Sequence, residues 1–242
     1  MENSYNEKEL NLFFDDLDRW LHLQSALGKK RFYIPSLKRS STASLSDELS
    51  EVPIPKSDFE TTSFSEFRKN VLKCEKCVLA KTRTQVVFGS GNEKAKLVFV
   101  GEAPGFDEDR EGEPFVGKAG QLLTKMIQAM GLKREDVYIA NIIKCRPPNN
   151  RTPTPEERET CFPYLVEQLE RIGPKIICAL GNVAAQTLLQ TEKTITRLRG
   201  MFHEVRGIKI MPTFHPAFLL RNPEAKREVW RDLQMIMEEL RK

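Results

Sequence analysis

Apolar residues follow two rhythms along this chain, and the change between them divides it. Over residues 7–27, Leu10, Phe13, Phe14, Leu17, Trp20, Leu21 and Leu27 recur near helical spacing, and Gly28 offers a C-cap. The pattern predicts one amphipathic helix that needs a surface to cover. From Pro35 to Thr62 large apolar residues are few, and Ser, Thr, Pro and charge dominate, which is the composition of a flexible linker. From Ser63 onward short apolar runs alternate with helical stripes. Leu97–Val100, Val137–Ile142, Lys175–Leu180 and Ile208–Thr213 read as strands, the first a continuous apolar run as expected of a strand buried on both faces. Helices are predicted over Phe64–Leu72, 119–130, Pro155–Ile172, the segment after Gly181-Asn182, and 224–241. Leu122, Leu123, Met126, Ile127 and Met130 share one face of the second, and Val229, Trp230, Leu233, Ile236 and Leu240 one face of the last. Such alternation predicts an α/β fold, a three-layer αβα sandwich around a central, mostly parallel four-stranded sheet. The expected division is a leader of residues 1–62 and a domain of residues 63–242. Polar and Gly-rich segments fall at the C-terminal ends of the strands, where folds of this class build their sites.

Charge sharpens the division. Residues 1–62 hold 8 Lys/Arg against 11 Asp/Glu, and residues 63–242 hold 30 against 23. A basic body behind an acidic leader suits a polyanionic partner, and equally a solvated surface. No apolar run approaches the roughly 20 residues of a membrane helix, and the acidic N-terminus has no basic-then-apolar secretory pattern. A cytoplasmic protein is expected, in which the five cysteines serve as metal ligands or free thiols and not as disulfides.

Cys74 and Cys77 form a C-x2-C before the first run; Cys145 follows the second, and Cys161 lies fifteen intervening residues further on, in a predicted helix. Four thiolates satisfy a tetrahedral zinc or a cubane iron–sulfur cluster. Spacing does not choose between them, and two unrelated pairs of free thiols remain open. Cys178, inside Ile176–Leu180, reads as a small core residue.

Three loops carry candidate chemistry. Gly101-Glu102-Ala103-Pro104-Gly105-Phe106-Asp107-Glu108-Asp109 brings backbone close to a ligand, but its negative charge and the absence of Gly-Lys-Ser/Thr exclude a phosphate cradle. Pro114-Phe115-Val116-Gly117 places an aromatic ahead of a helix, where core packing is the plainer reading. Asn141, at a strand end, has an amide that both accepts and donates, which suits the N3–H and O4 edge of uracil; by itself it reads as a loop cap. After the last strand comes Thr213-Phe214-His215-Pro216-Ala217-Phe218-Leu219-Leu220-Arg221. Its apolar run fits a wedge that fills the gap left by an extruded base, or a hook tucked into the core.

Taken together, GEAPGFDED, GEPFVGKAGQLL, NIIKCRPPNNRTPTPEE, ALGNVAAQTLL and TFHPAFLLRNP, with the C-x2-C and the later cysteines, resemble family 4 uracil-DNA glycosylases, the iron–sulfur branch of that superfamily. The motifs occur in the family's order and cover residues 66–242. The resemblance implies an enzyme that flips uracil from single- or double-stranded DNA and hydrolyses its N-glycosidic bond. The abasic site left behind starts base excision repair. It also implies that Cys74, Cys77, Cys145 and Cys161 hold a structural [4Fe-4S] cluster. Phe115 would stack on uracil, Asn141 would read its Watson–Crick edge, and Glu108 would sit near C5 and crowd out the thymine methyl. His215 would donate to O2, where charge grows as the base leaves, and Phe218, Leu219, Leu220 and Arg221 would enter the duplex. In family 1 enzymes an Asp orients the attacking water; the equivalent position here is Ala103, which leaves Glu102 as the nearest carboxylate for that task. Family 5 usually carries a different residue at the Glu102 position. The branch that links covalently to DNA has an Arg-rich insertion that this chain lacks. A monomer is expected, with any protein partner of the leader helix unnamed.

Two other readings stand beside the enzyme. One is a binding module that keeps fold and cluster without catalysis, against which the full pocket set Glu102, Phe115, Asn141 and His215 weighs. The other is a redox protein whose cluster carries electrons, which failure to release uracil would favour.

Overall fold

The computed structural model describes residues 63–242. The helix expected over 7–27 and the linker over 35–62 lie outside the described residues.

Helix α1 (Phe64–Leu72) begins at Ser63, whose hydroxyl accepts the Glu66 N–H, and buries Phe67 and Val71. The sheet holds six strands: β1 (Ser90–Gly91), β2 (Leu97–Gly101), β3 (Tyr138–Asn141), β4 (Ile176–Leu180), β5 (His203–Val205) and β6 (Ile208–Thr213). Their order is β1-β3-β2-β4-β6-β5. The central four, β3-β2-β4-β6, are mutually parallel, as expected, and every residue of β2, β3 and β4 is buried. The two additional strands are short antiparallel edges. A two-residue Ser-Gly strand and a partly exposed His-Glu-Val carry no apolar run, so the four-stranded expectation missed them.

Alternation along the strands sorts the core into two layers. Val98, Val100, Ala140, Ile177, Ala179 and Ile210 pack in one cluster with Phe67 and Val71 of α1, Leu165 and Leu169 of α4 (Pro155–Ile172), and Ala184, Ala185 and Leu188 of α5 (Asn182–Leu189). The intervening Leu97, Phe99, Ile139, Cys178 and Met211 are also buried. They are left for α3 (Lys118–Ala129), which buries Leu122, Leu123 and Ile127, and for α8 (Lys226–Leu240), which buries Val229, Leu233 and Ile236. Cys178 is fully buried, the core residue expected. Truncating a ring such as Phe99 here would cost about 3–5 kcal/mol.

Three further helices appear where the apolar pattern shows none. α2 (Phe106–Glu111) is acidic and short, yet Gly105 caps its start, Gly112 closes it in the left-handed region, and Asp109 accepts the Thr84 N–H. α6 (Ile195–Leu198) is one turn. α7 (Pro216–Arg221) starts at His215 with Pro216 in its first turn, a position that needs no N–H. The chain crosses from β3 over β2 to β4, so the carboxyl ends of the parallel strands open on one crevice.

Candidate active site

The ends of β2, β3 and β6 build a cleft of about 590 Å³, lined by Glu102, Ala103, Phe106, Glu108, Phe115, Asn141, His215, Phe218 and Arg221 among others. Distant residues meet because β2 lies directly beside β3, with Gly101 level with Asn141, and because β6, parallel to β4, brings His215 to the same end of the sheet.

At the cleft's inner end Phe115 is 6% exposed and held at φ 55°, in the left-handed region a bulky residue avoids. Gly120 makes this turn possible: a Cβ there would lie 1.9 Å from the Phe115 carbonyl oxygen. Gly101 does the same from below. A Cβ on it would lie 2.4 Å from Asn141 Oδ1 and 2.5 Å from Phe115 Cζ, so only glycine lets amide and ring share that space. Asn141 is 2% exposed, and its Oδ1 has no hydrogen-bond partner. A buried, unmet acceptor costs about 1–3 kcal/mol, the signature of a group waiting for a donor.

The Phe115 ring lies 5.5 Å from that of His215, tilted by 31°. His215 Nδ1 accepts the Ala217 N–H at 3.1 Å, which leaves the ring hydrogen on Nε2. Burial, with the nearby Arg221 charge, pushes the imidazole pKa down to about 4, so the ring is neutral at physiological pH. The site therefore offers one neutral N–H donor of fixed tautomer. Glu102, beside it on the β2 loop, is pushed above the usual carboxylate range by burial. The Arg158 guanidinium and a hydrogen bond from Thr152 oppose that shift without cancelling it.

The structure gives one expected side chain its partners and corrects another. Glu108 lines the cleft, but its carboxylate accepts the backbone N–H groups of Gly105, Val116 and Gly117 at 2.9–3.0 Å. Its contact is with the two loops it ties together, because the N-terminus of α2 and the turn before α3 both present unpaired donors there. In the wedge, Leu219 is 1% exposed and belongs to the core, since α7 is a helix and not an exposed turn. Phe218, stacked on Phe214 at 4.8 Å, and Arg221 line the cleft, and Leu220 is partly buried.

The four cysteines Cys74, Cys77, Cys145 and Cys161 line a second, smaller cavity with Arg83, Lys144 and Tyr164. Arg83 donates to Cys145 Sγ at 3.1 Å, Tyr164 Oη to Cys74 Sγ at 3.2 Å, and the Lys144 N–H to Cys161 Sγ at 3.2 Å. Burial pushes the Cys161 thiol up to about 12 and raises Cys145, so both keep their protons unless a metal displaces them. Among the described residues no group of three or more His, Cys, Asp or Glu is arranged to hold a single metal ion. An all-sulfur set around one cavity, with N–H and O–H groups aimed at the sulfurs, fits a cluster.

Two supporting residues escaped the sequence reading. Lys144, 1% exposed, donates from Nζ to the Asn141 carbonyl and to Gln168 Oε1, and so links the pocket strand to α4 beside the cysteines. Its signal was a lone lysine inside an apolar run. Arg158 had none, because its reach to Glu102 depends on how α4 packs.

A sequence profile described as the uracil DNA glycosylase superfamily matches residues 88–234, which carry every element of the cleft. This chain belongs to the uracil-DNA glycosylase superfamily. Within it, a type-4 uracil-DNA glycosylase of Archaeoglobus fulgidus is 51% identical over 184 residues, 73% of this chain and 92% of that protein. A type-4 enzyme of Thermotoga maritima is 49% identical over 170 residues, 69% of this chain and 88% of that protein. A type-5 uracil-DNA glycosylase of Pyrobaculum aerophilum is 33% identical over 144 residues, 52% and 63% of the two chains. The family 4 resemblance read from the motifs is thereby borne out. No helix among the described residues is long and apolar enough to cross a membrane.

Proposed function

We propose that this chain is a uracil-DNA glycosylase that takes an extruded uracil into the cleft, hydrolyses the C1′–N1 bond and leaves an abasic site for base excision repair. The observation that carries the reading is the buried, unpartnered Oδ1 of Asn141 beside the Phe115 ring and the neutral His215. Uracil answers all three. Its N3–H satisfies Oδ1 and its O4 accepts from the amide nitrogen. Its ring stacks on Phe115, and its O2 accepts from His215 Nε2–H. Cytosine presents the reverse pattern at both Watson–Crick positions.

The chemistry follows from charge. Breaking the bond leaves an oxocarbenium-like sugar and a uracil anion, whose charge grows on O2. A fixed N–H donor aimed there stabilises the transition state more than the ground state. In this reading Glu102, whose pKa burial raises and the Arg158 charge partly lowers, holds and deprotonates the attacking water, and Ala103 leaves room for it. Glu108 acts through the Val116 and Gly117 backbone it holds. Phe218 and Arg221, with Leu220, fill the space left in the DNA.

We further infer that Cys74, Cys77, Cys145 and Cys161 hold a [4Fe-4S] cluster. Bound there, it supplies covalent cross-links between the loop after α1, the loop after β3 and α4, and no electron for the reaction. The protein is read as a cytoplasmic monomer whose catalytic unit is residues 63–242, so removing residues 1–62 is expected to leave excision nearly unchanged. A dead but folded truncation would put the leader in the active unit.

The test is release of uracil from a labelled oligonucleotide with a single uracil, beside a thymine control, followed by alkali. Cutting only at uracil supports the enzyme. No cutting by cluster-loaded protein would favour a non-catalytic DNA-binding module.

A further inference from the structure

Phe106 is the exposed aromatic side chain among the described residues, 58% accessible; every other Phe, Tyr and Trp there is buried or partly buried. It stands on the wall of the cleft that Asn141 and His215 line. Its backbone is held firmly: it is the first residue of α2, and Glu108 pins the preceding Gly105 N–H at 3.0 Å. The Arg146 guanidinium lies 5.0 Å from the ring centroid, and its Nε donates to Asn150 Oδ1 at 2.7 Å. A rigid, solvent-facing ring partnered by an oriented guanidinium gains nothing for the core. The same pair makes a surface on which a flat heterocycle stacks. Uracil itself is not the candidate, because Phe115 is the ring at the inner end of the pocket. Lys118 and Arg221 also line the cleft and supply positive charge for a phosphate backbone, whereas Arg151 there is paired with Glu157.

We infer that Phe106 and Arg146 form a stacking platform for the nucleobase adjoining the extruded uracil, so that the cleft grips two consecutive nucleotides of one strand. The inference rests on the uracil-excision reading above. The occupant is a base of single-stranded DNA. In a duplex the neighbouring base stays paired, and the face that extrusion opens is taken by Phe218, Leu220 and Arg221, so it is not free for Phe106. Stacking of one base on an aromatic side chain corresponds to a loss on the order of 5- to 100-fold when the ring is removed.

The experiment compares the full chain with Phe106→Ala, Phe106→Leu and Phe106→Trp on single-stranded and duplex oligonucleotides carrying one uracil. One set has 2-aminopurine beside the uracil, on the 5′ or the 3′ side, and another has an abasic spacer at the same positions. Expected for Phe106→Ala is a loss in kcat/KM of roughly 5- to 100-fold on single strands and a smaller loss on duplex. Phe106→Trp restores the activity and Phe106→Leu does not. An abasic spacer on one side should cost the wild type the same factor and cost Phe106→Ala nothing more. Quenching of 2-aminopurine fluorescence on binding should be present in the wild type and absent in Phe106→Ala. Equal single-strand activity in Phe106→Ala, a loss indifferent to the flanking base, or full rescue by leucine would each overturn the platform. The quenching measurement needs no uracil release. A protein that quenches but does not cut therefore keeps the platform and loses the glycosylase reading, and one that cuts without quenching does the reverse.

Discussion

His215 Nδ1 accepts the backbone N–H of Ala217 at 3.1 Å, and that bond decides which imidazole nitrogen can donate into the cleft. With Nδ1 committed and the ring neutral, Nε2–H is the donor. His215→Ala is expected to cut excision on the order of 100- to 1000-fold, the usual cost of one such donor, with fold and cluster colour unchanged. The folded-state pKa of about 4 lies below the ordinary histidine value, so protonating His215 opposes folding. Its contribution to stability is fully present above the unfolded pKa of about 6.5 and is lost as pH falls towards 4. Wild-type urea midpoints should fall faster than those of His215→Ala across that window. A parallel fall would remove His215 from the linkage.

On the proposed mechanism, the acid limb of the pH–rate profile is expected to follow Glu102 and not His215. Burial raises the Glu102 pKa and the Arg158 charge partly lowers it again. Arg158→Met should therefore raise it further and move the acid limb to higher pH, while Glu102→Gln should lower the rate and abolish the limb. The kcat/KM profiles of the three proteins between pH 4 and 8 check this. An unmoved limb in Arg158→Met would show that another group controls the water.

Asn141 should separate stability from function. Its Oδ1 is buried and unmet in the free protein, so Asn141→Leu, of similar size, is expected to leave the thermal midpoint unchanged or raise it, while excision collapses. Gly101→Ala should abolish excision by a different route, because the new methyl would displace the Asn141 amide and the Phe115 ring. Thermal midpoints and uracil release measured on both variants decide the matter, and an active Gly101→Ala would refute the shared-space argument.

Cys161→Ala is expected to strip bound iron and visible colour, and to lower the unfolding midpoint by several degrees. Its helix α4 starts at Pro155, far along the chain from the end of α1 at Leu72, and the cavity joins the two. Iron content and absorbance of anaerobically purified protein test it; full iron occupancy in the variant would exclude Cys161 as a ligand.

Much of this protein was legible in the order of its residues. Short apolar runs mark β2, β3 and β4 because a strand covered on both faces has no polar side to show, while β6, with Lys209 near its start, is buried only from Ile210 onward. The helix predicted over Pro155–Ile172 forms with those bounds, and the structure adds the capping box of Thr154 and Glu157 at its start. The motifs named every residue that lines the cleft's reactive end. Tertiary structure alone decided the rest, because those facts depend on which distant segments touch. The edge strands exist through pairing with β3 and β6, and carry no periodicity of their own. Glu108 holds the Gly105, Val116 and Gly117 backbone because two loop ends converge on it. Leu219 went to the core because α7 closed into a helix. Gly101 became indispensable because β2 and β3 lie side by side, a register no local pattern contains.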